Sequence, residues 1–120
     1  MAQGWLRRKA YDLGKDEMMQ FVTQETTEMN KRDKMAWVFQ NIAFLGKLQS
    51  KSDFDAVRDA YKTAAKEDYI PSEDDIRLAT RNMKVALKER KNKTAAILAA
   101  EVILEFAPSN TDAQYILTLA

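Results

Sequence analysis

The sequence predicts an all-α protein of about six helices, arranged as successive α-α hairpins. Apolar residues recur at helical spacing in several segments from position 16 onwards. Two of these segments end at a proline, Pro71 and Pro108, and proline cannot continue a helix. No segment alternates like a strand, and the chain has only three glycines. Helical units that stop and restart in this way are typical of proteins whose repeats bury their faces against each other.

The composition favours one domain that binds partners and argues against an enzyme. The chain has 120 residues and a net charge of +1, so no global field attracts it to nucleic acid or to anionic lipid. Cysteine and histidine are absent, which removes thiolate chemistry and the commonest zinc ligand. No run of 18 apolar residues is present to cross a membrane. We therefore expect no catalytic residue, no metal and no cofactor.

Residues 1–15 are predicted to form a basic N-terminal arm, and residues 16–120 a single helical-repeat domain. The arm begins MAQGWLRRKAYDLG and carries three consecutive basic residues at 7–9. A basic start that is poor in acids is weakly similar to an organelle-targeting segment, although it lacks the usual serines. The alternative is an arm that Trp5 and Leu6 hold against the core.

The first half of the domain is predicted to contain three helices. Methionines at helical spacing mark the first, at 16–29, and a charged turn follows it. The second, at 35–48, is expected to be buried on two sides because it has two apolar stripes. Ser52 is the predicted N-cap of the third helix. The stripes of the second helix are Met35, Val38, Ile42 and Leu45, and Trp37, Phe44 and Leu48; the third helix has Phe54, Val57, Tyr61 and Ala64.

The second half is predicted to contain three more helices. Ser72 caps the first, and the acids at 73–75 complement the positive end of its dipole. A basic turn, KERKNK, leads to an alanine-rich helix that a neighbouring helix can approach closely. Asn110 or Thr111 can cap the last helix. The predicted core faces are Ile76, Ala79, Met83 and Leu87; then Ala96, Ala99, Ala100, Ile103 and Phe106; and finally Ala113, Ile116, Leu117 and Ala120.

Two segments resemble the tetratricopeptide and pentatricopeptide repeat families. Residues 38–72 are similar to one pentatricopeptide unit, with Tyr61 at the aromatic position of the second helix and YIP as the closing motif. Within residues 75–110, AAILAAEVILEFAPSN is similar to the second helix and exit of a tetratricopeptide unit, with Ala96 at its small position. The tryptophan, glycine and tyrosine of that family's signature are missing from the preceding helix. The resemblance implies a right-handed stack of α-α hairpins over most of the chain.

A second resemblance is to subunit Va of mitochondrial cytochrome c oxidase, a helical-repeat matrix protein. It is carried by the blocks DFDAV, DYIPSEDDIRLA and KTAAIL, although the spacing between the first two is slightly short. The resemblance implies a mitochondrial location, and the cytoplasm is the alternative. The matching residues are Asp53, Asp55, Ala56, Asp68, Pro71, Ile76 and Ala79.

Basic residues recur at helical spacing on the face opposite Ile76 and Met83. This basic stripe could be a phosphate track or a contact for an acidic protein. It could also be a solvated face whose cations lie near the negative end of the helix dipole. The stripe consists of Arg77, Arg81, Lys84, Lys88 and Lys91.

Two acidic pairs, Asp53/Asp55 and Asp74/Asp75, could be paired carboxylates or cation ligands. Both pairs open predicted helices, where carboxylates accept hydrogen bonds from free backbone N–H groups. We therefore interpret both pairs as helix caps.

The C-terminal helix is the predicted docking surface for a protein partner. Repeat arrays need polar caps at their ends, but the segment AQYILTLA spreads apolar residues around the helix. A single neighbouring helix can hide only part of them, so an exposed patch is expected to mark an interface. The alternative is that this helix caps the stack by folding back on its own core. The predicted patch is Tyr115, Ile116, Leu117 and Leu119, together with Ile103 and Phe106 of the preceding helix.

The predicted function is a non-catalytic helical-repeat interaction protein. By resemblance it is an accessory subunit of a larger mitochondrial assembly, such as a respiratory-chain complex, ATP synthase or ribosome. The alternative is an RNA-binding pentatricopeptide-like module, in which Asn41 and Ser72 stand at the positions that read bases. Such a code needs many successive repeats, and this chain has room for about two.

Overall fold

The computed structural model describes residues 30–120, which form five α-helices and one short 3-10 helix and contain no strand. The predicted all-α fold class is thereby confirmed. The predicted arm at 1–15 and the predicted helix at 16–29 lie outside the described residues. In the part of the chain that is described, no helix has the length and apolar character needed to cross a membrane. The helices are α1 (Lys31–Gln40), the 3-10 helix (Ile42–Phe44), α2 (Lys51–Ala65), α3 (Glu73–Lys88), α4 (Lys93–Phe106) and α5 (Thr111–Leu117).

Every described α-helix begins after a serine or asparagine that caps it. In each case the side-chain oxygen accepts a hydrogen bond from a backbone N–H three residues later, which satisfies a donor that the helix itself cannot. Each cap contributes about 1 kcal/mol. The predicted cap Ser52 is wrong, because Ser50 caps α2 and the helix begins at Lys51. The five caps are Asn30, Ser50, Ser72, Asn92 and Asn110.

The helix predicted at 35–48 is wrong at both ends. α1 begins at Lys31, so the predicted charged turn forms its first turn. It ends at Gln40, because the Nδ2 of Asn41 donates to the Trp37 carbonyl at 2.9 Å and the chain tightens into the 3-10 helix. The apolar residues beyond this stop are still buried, so their spacing predicts burial correctly and helix incorrectly. They are Ile42, Leu45 and Leu48.

α4 lies at the centre of the fold. It packs against α2, α3, α5 and the 3-10 helix, while α1 packs on α2 and α3. Its small buried residues, Ala96, Ala99 and Ala100, let the neighbouring helices approach closely. The packed helices are one or two apart in the chain, but α2 and α3 are not among the packed pairs.

Aromatic rings join α1, α2 and the loop before α3 to the end of α4. The ring centroid of Phe39 lies 6.3 Å from that of Phe54, 5.9 Å from Tyr69 and 5.7 Å from Phe106. Tilted and edge-on pairs at these distances are favourable beyond the area that they bury. Phe106 is therefore half-buried and packed against the core, and Ile103 is fully buried, so Ile103 is not available to a docking patch.

Candidate functional site

α3 carries most of the candidate site, and a capping box determines where it begins. The Ser72 Oγ accepts from the Asp75 backbone N–H at 3.1 Å, and the Asp75 Oδ2 accepts from the Ser72 N–H at 2.9 Å. With the start of the helix fixed, Ala79, Met83 and Ala86 face the core. The cations on the opposite side of α3 face solvent.

Four residues of the basic stripe lie on the solvent face of α3. Arg77, Arg81, Lys84 and Lys88 follow one another at helical spacing, and all four are exposed. The fifth, Lys91, is not on the helix as predicted, because α3 ends at Lys88. Lys91 lies in the turn to α4, where its φ of 55° is in the left-handed region.

Acidic neighbours neutralise only part of the stripe. The Arg77 guanidinium lies 3.4 Å from the Asp74 carboxylate, and the Lys84 Nζ lies 3.6 Å from the Asp112 carboxylate. Both pairs are open to solvent, so they contribute little to stability. Arg81 and Lys88 form no ion pair with any residue between 30 and 120, and both are open to a partner.

α5 folds back on α4, and this corrects the predicted docking patch. Ala113 and Ile116 are buried against the core, so Ile116 is not available to a partner. Leu117 and Leu119 are half-buried. Tyr115 is 63% exposed and is the part of the predicted patch that projects fully into solvent. Packing against α4 therefore accounts for most of the apolar residues of this helix.

The structure places the beginning of α5 beside the basic stripe of α3. The Nδ2 of Asn110, the cap of α5, donates to the Thr80 Oγ1 at 3.0 Å, and one turn further along α3 Lys84 meets Asp112. Tyr115 is three residues after Asp112 and so lies on the same side of α5. We call this surface the α3–α5 face; it consists of Arg81, Lys84, Asp112 and Tyr115.

A groove of about 410 Å³ runs between α3 and the beginning of α5. Its lining carries three cations of the basic stripe, two acids, Glu73 and Asp112, and the half-buried apolar side chain of Ile76. Charges of both signs around an apolar floor are suited to the mixed side chains of another protein. They are less suited to a phosphate backbone, which the two carboxylates repel.

The two residues that the sequence places at base-reading positions are both held by the fold. Asn41 is 2% exposed, and its Nδ2 bonds to the Trp37 carbonyl. The Ser72 hydroxyl accepts the hydrogen bond that caps α3. The burial of Asn41 leaves it without an edge that could reach a nucleotide base, whereas Ser72 is exposed but already serves as the cap.

Asp75 does more than cap α3, because its buried carboxylate also joins α3 to α1. Its Oδ2 accepts from the Arg32 Nη2 at 2.6 Å and from the Tyr69 hydroxyl at 3.0 Å, and its Oδ1 accepts from the Gln40 Nε2 at 2.9 Å. Burial alone would raise the pKa of Asp75, but these hydrogen bonds and the one from Ser72 outweigh burial and lower the pKa to about 2. Burial and the neighbouring carboxylate raise the pKa of Tyr69, which therefore stays a donor.

We call the hydrogen bonds that Asp75 accepts from Ser72, Arg32, Tyr69 and Gln40 the Asp75 network. Because these bonds occupy the carboxylate, the Asp74/Asp75 pair is poorly suited to act as paired carboxylates or as cation ligands. All the hydrogen bonds to Asp75 come from the fold itself, and Asp74 points into solvent beside Arg77. Within residues 30–120, no group of three or more acidic side chains is arranged to hold a metal ion. Sequence reasoning identified Asp75 as a cap from its position in the first turn, but no local pattern indicated Arg32 or Gln40 as its partners.

No protein-family model, curated protein or solved structure matches the chain. The resemblances to the repeat families and to subunit Va therefore rest on the sequence blocks alone.

Proposed function

We propose that this chain is a non-catalytic interaction protein that serves as an accessory subunit of a larger assembly. The observation that carries the proposal is the α3–α5 face, where the exposed ring of Tyr115 lies on the same side of α5 as the contact with Lys84. Tyrosine and arginine are enriched at protein–protein interfaces and supply much of their binding energy. The acidic Asp112 within the same face favours a protein partner over phosphate.

The helix pairing supports the proposed class of assembly. Contacts between helices one and two apart fit the resemblance to pentatricopeptide proteins, whose small members serve as accessory subunits of mitochondrial enzymes and ribosomes. By that resemblance we propose a mitochondrial respiratory-chain complex, ATP synthase or ribosome as the assembly. The cytoplasm is the alternative compartment.

The competing proposal is an RNA-binding module. It is favoured by Arg81 and Lys88, since exposed cations without an internal ion pair are the residues that contact phosphate. The burial of Asn41 and the carboxylate of Asp112 count against it. We therefore expect RNA affinity no tighter than the non-specific range of about 10⁻⁴–10⁻⁶ M at physiological salt.

Tyr115→Ala is expected to reduce the amount of partner that co-purifies with the tagged chain by at least about tenfold, because truncating an interfacial tyrosine anchor costs about 2 kcal/mol or more. Quantitative mass spectrometry at endogenous abundance measures this loss. Ile70→Ala is the matched control, since Ile70 is, within residues 30–120, the other large apolar side chain that is highly exposed, at 76%, and it lies in the loop before α3. If Tyr115→Ala recovers as much partner as the unmodified chain, or if Ile70→Ala loses as much partner as Tyr115→Ala, the α3–α5 face is not the partner-binding surface.

A further inference from the structure

Cations are concentrated in the second half of α3 and in the turn to α4. Residues 81–93, RNMKVALKERKNK, contain six basic residues and one acidic residue, a net charge of +5 in a chain whose net charge is +1. All six basic residues are exposed. We call this set the basic end; it consists of Arg81, Lys84, Lys88, Arg90, Lys91 and Lys93.

The cations of the basic end lie within 13 consecutive residues and have few partners among residues 30–120. Lys84 meets Asp112, and no other member of the set forms an ion pair with a residue between 30 and 120. Backbone hydrogen bonds fix the turn, from Arg90 N–H to the Val85 carbonyl at 3.2 Å and from Asn92 N–H to the Ala86 carbonyl at 2.9 Å. Like charges held in one place repel each other, so an external anion stabilises them.

An open groove of about 420 Å³ lies beside the basic end. The guanidinium of Arg90 stands over the Phe44 ring, 4.5 Å from its centroid, and forms part of the groove lining. The buried leucines Leu45, Leu48 and Leu98 contribute to the walls. Such walls accept an apolar side chain, while the guanidinium can bind a carboxylate through paired hydrogen bonds.

We infer that the basic end binds an acidic segment of a protein partner and that the groove receives one hydrophobic side chain of that segment. The inference rests on the proposed function and adds the chemistry of the partner to it. Charge complementarity selects an acidic ligand. A single-stranded nucleic acid fits less well, because its bases stack on open aromatic faces and Arg90 already covers one face of Phe44.

The test uses fluorescence anisotropy on the full chain with a short labelled peptide in which glutamates flank a single phenylalanine. We expect affinity to fall about tenfold when the glutamates become glutamines, and about tenfold in the variant Lys88→Glu/Lys91→Glu. Lys62→Glu/Lys66→Glu makes the same charge change at the exposed end of α2, and its affinity should stay within about twofold. Circular dichroism checks that both variants are folded.

The groove is tested separately from the charge. Thr94 is exposed and lines the groove, so Thr94→Trp fills the space without changing the charge. In the unmodified chain the phenylalanine peptide should bind more tightly than a peptide with serine in its place. Thr94→Trp should abolish that preference, whereas a preference that persists would overturn the assignment of the groove.

Three outcomes would overturn the acidic-partner inference. One is equal affinity for the glutamate and glutamine peptides. Another is tighter binding of a labelled oligouridylate, which would assign the basic end to nucleic acid. The third is a split result in co-purification, in which Tyr115→Ala loses the native partner but Lys88→Glu/Lys91→Glu keeps it. In that case the proposed function stands and the acidic-partner inference fails.

Discussion

Val57→Asp is expected to unfold the domain. Val57 lies on α2 and is fully buried, on the same face as Phe54 and Tyr61. An unpaired carboxylate there costs several kcal/mol, which is comparable to the total stability of about 5–15 kcal/mol for a domain of this kind. Far-UV circular dichroism should show the loss of most of the helical signal and of the cooperative thermal transition.

Two control variants separate the buried charge from other effects of substitution in α2. Val57→Ala removes only methyl groups and should cost about 2 kcal/mol, which leaves a folded protein. Ser52→Asp adds the same carboxylate in the exposed first turn of α2, and the free energy of unfolding should stay within about 0.5 kcal/mol. A soluble Val57→Asp protein that melts cooperatively would show that the core face assigned to α2 is wrong.

Asp75→Ala is expected to lower the free energy of unfolding by about 3 kcal/mol, because it leaves one buried donor and three half-buried donors without their acceptor. The donors that lose their partner are the Ser72 N–H, Arg32, Gln40 and Tyr69. Urea denaturation measures the change. Asp74→Ala is the matched control, because Asp74 is the preceding residue and is highly exposed. Among the described residues it pairs with Arg77 alone. Removing the Asp74 carboxylate should therefore lower the free energy of unfolding by less than about 0.5 kcal/mol. Equal costs at the two positions would contradict the Asp75 network.

The same network predicts how stability depends on pH. The folded-state pKa of Asp75 is about 2, below the ordinary value of 3.8. Because the folded pKa is depressed, the stabilisation is fully present above the unfolded pKa and is lost as the pH falls through about 2. The stability gap between the unmodified protein and Asp75→Ala should therefore narrow by roughly 2 kcal/mol between pH 5 and pH 2. A gap that is independent of pH would show that the carboxylate is not held in its charged form.

The sequence predicted the helices best where the local signals are strong. Ser72 and the acids after it marked the start of α3, and the spacing of apolar residues on α2 identified most of its buried face. On α3, two of the four predicted core residues, Ala79 and Met83, are buried, and the other two are half-buried. The end of α1 was not predictable in this way. Apolar residues after Asn41 keep a helical spacing, but a 3-10 helix and a loop packed on the core can bury the same residues.

The candidate site was less predictable, because it depends on residues that are distant in the sequence. Helical spacing alone placed four of the five residues of the basic stripe correctly on one face of α3. Its proximity to α5 depends on contacts such as the one between Thr80 and Asn110, which are 30 residues apart. The apolar residues of α5 lie around the whole helix, so only the docked structure shows that Ile116 is buried and Tyr115 exposed.

If the chain works as a subunit bound to other proteins, native electrophoresis of a gently solubilised cell extract should show it migrating with a large assembly. Tyr115→Ala should shift the chain to the position of the free protein. Migration of the unmodified chain at its monomer mass, with none in a larger species, would contradict the claim.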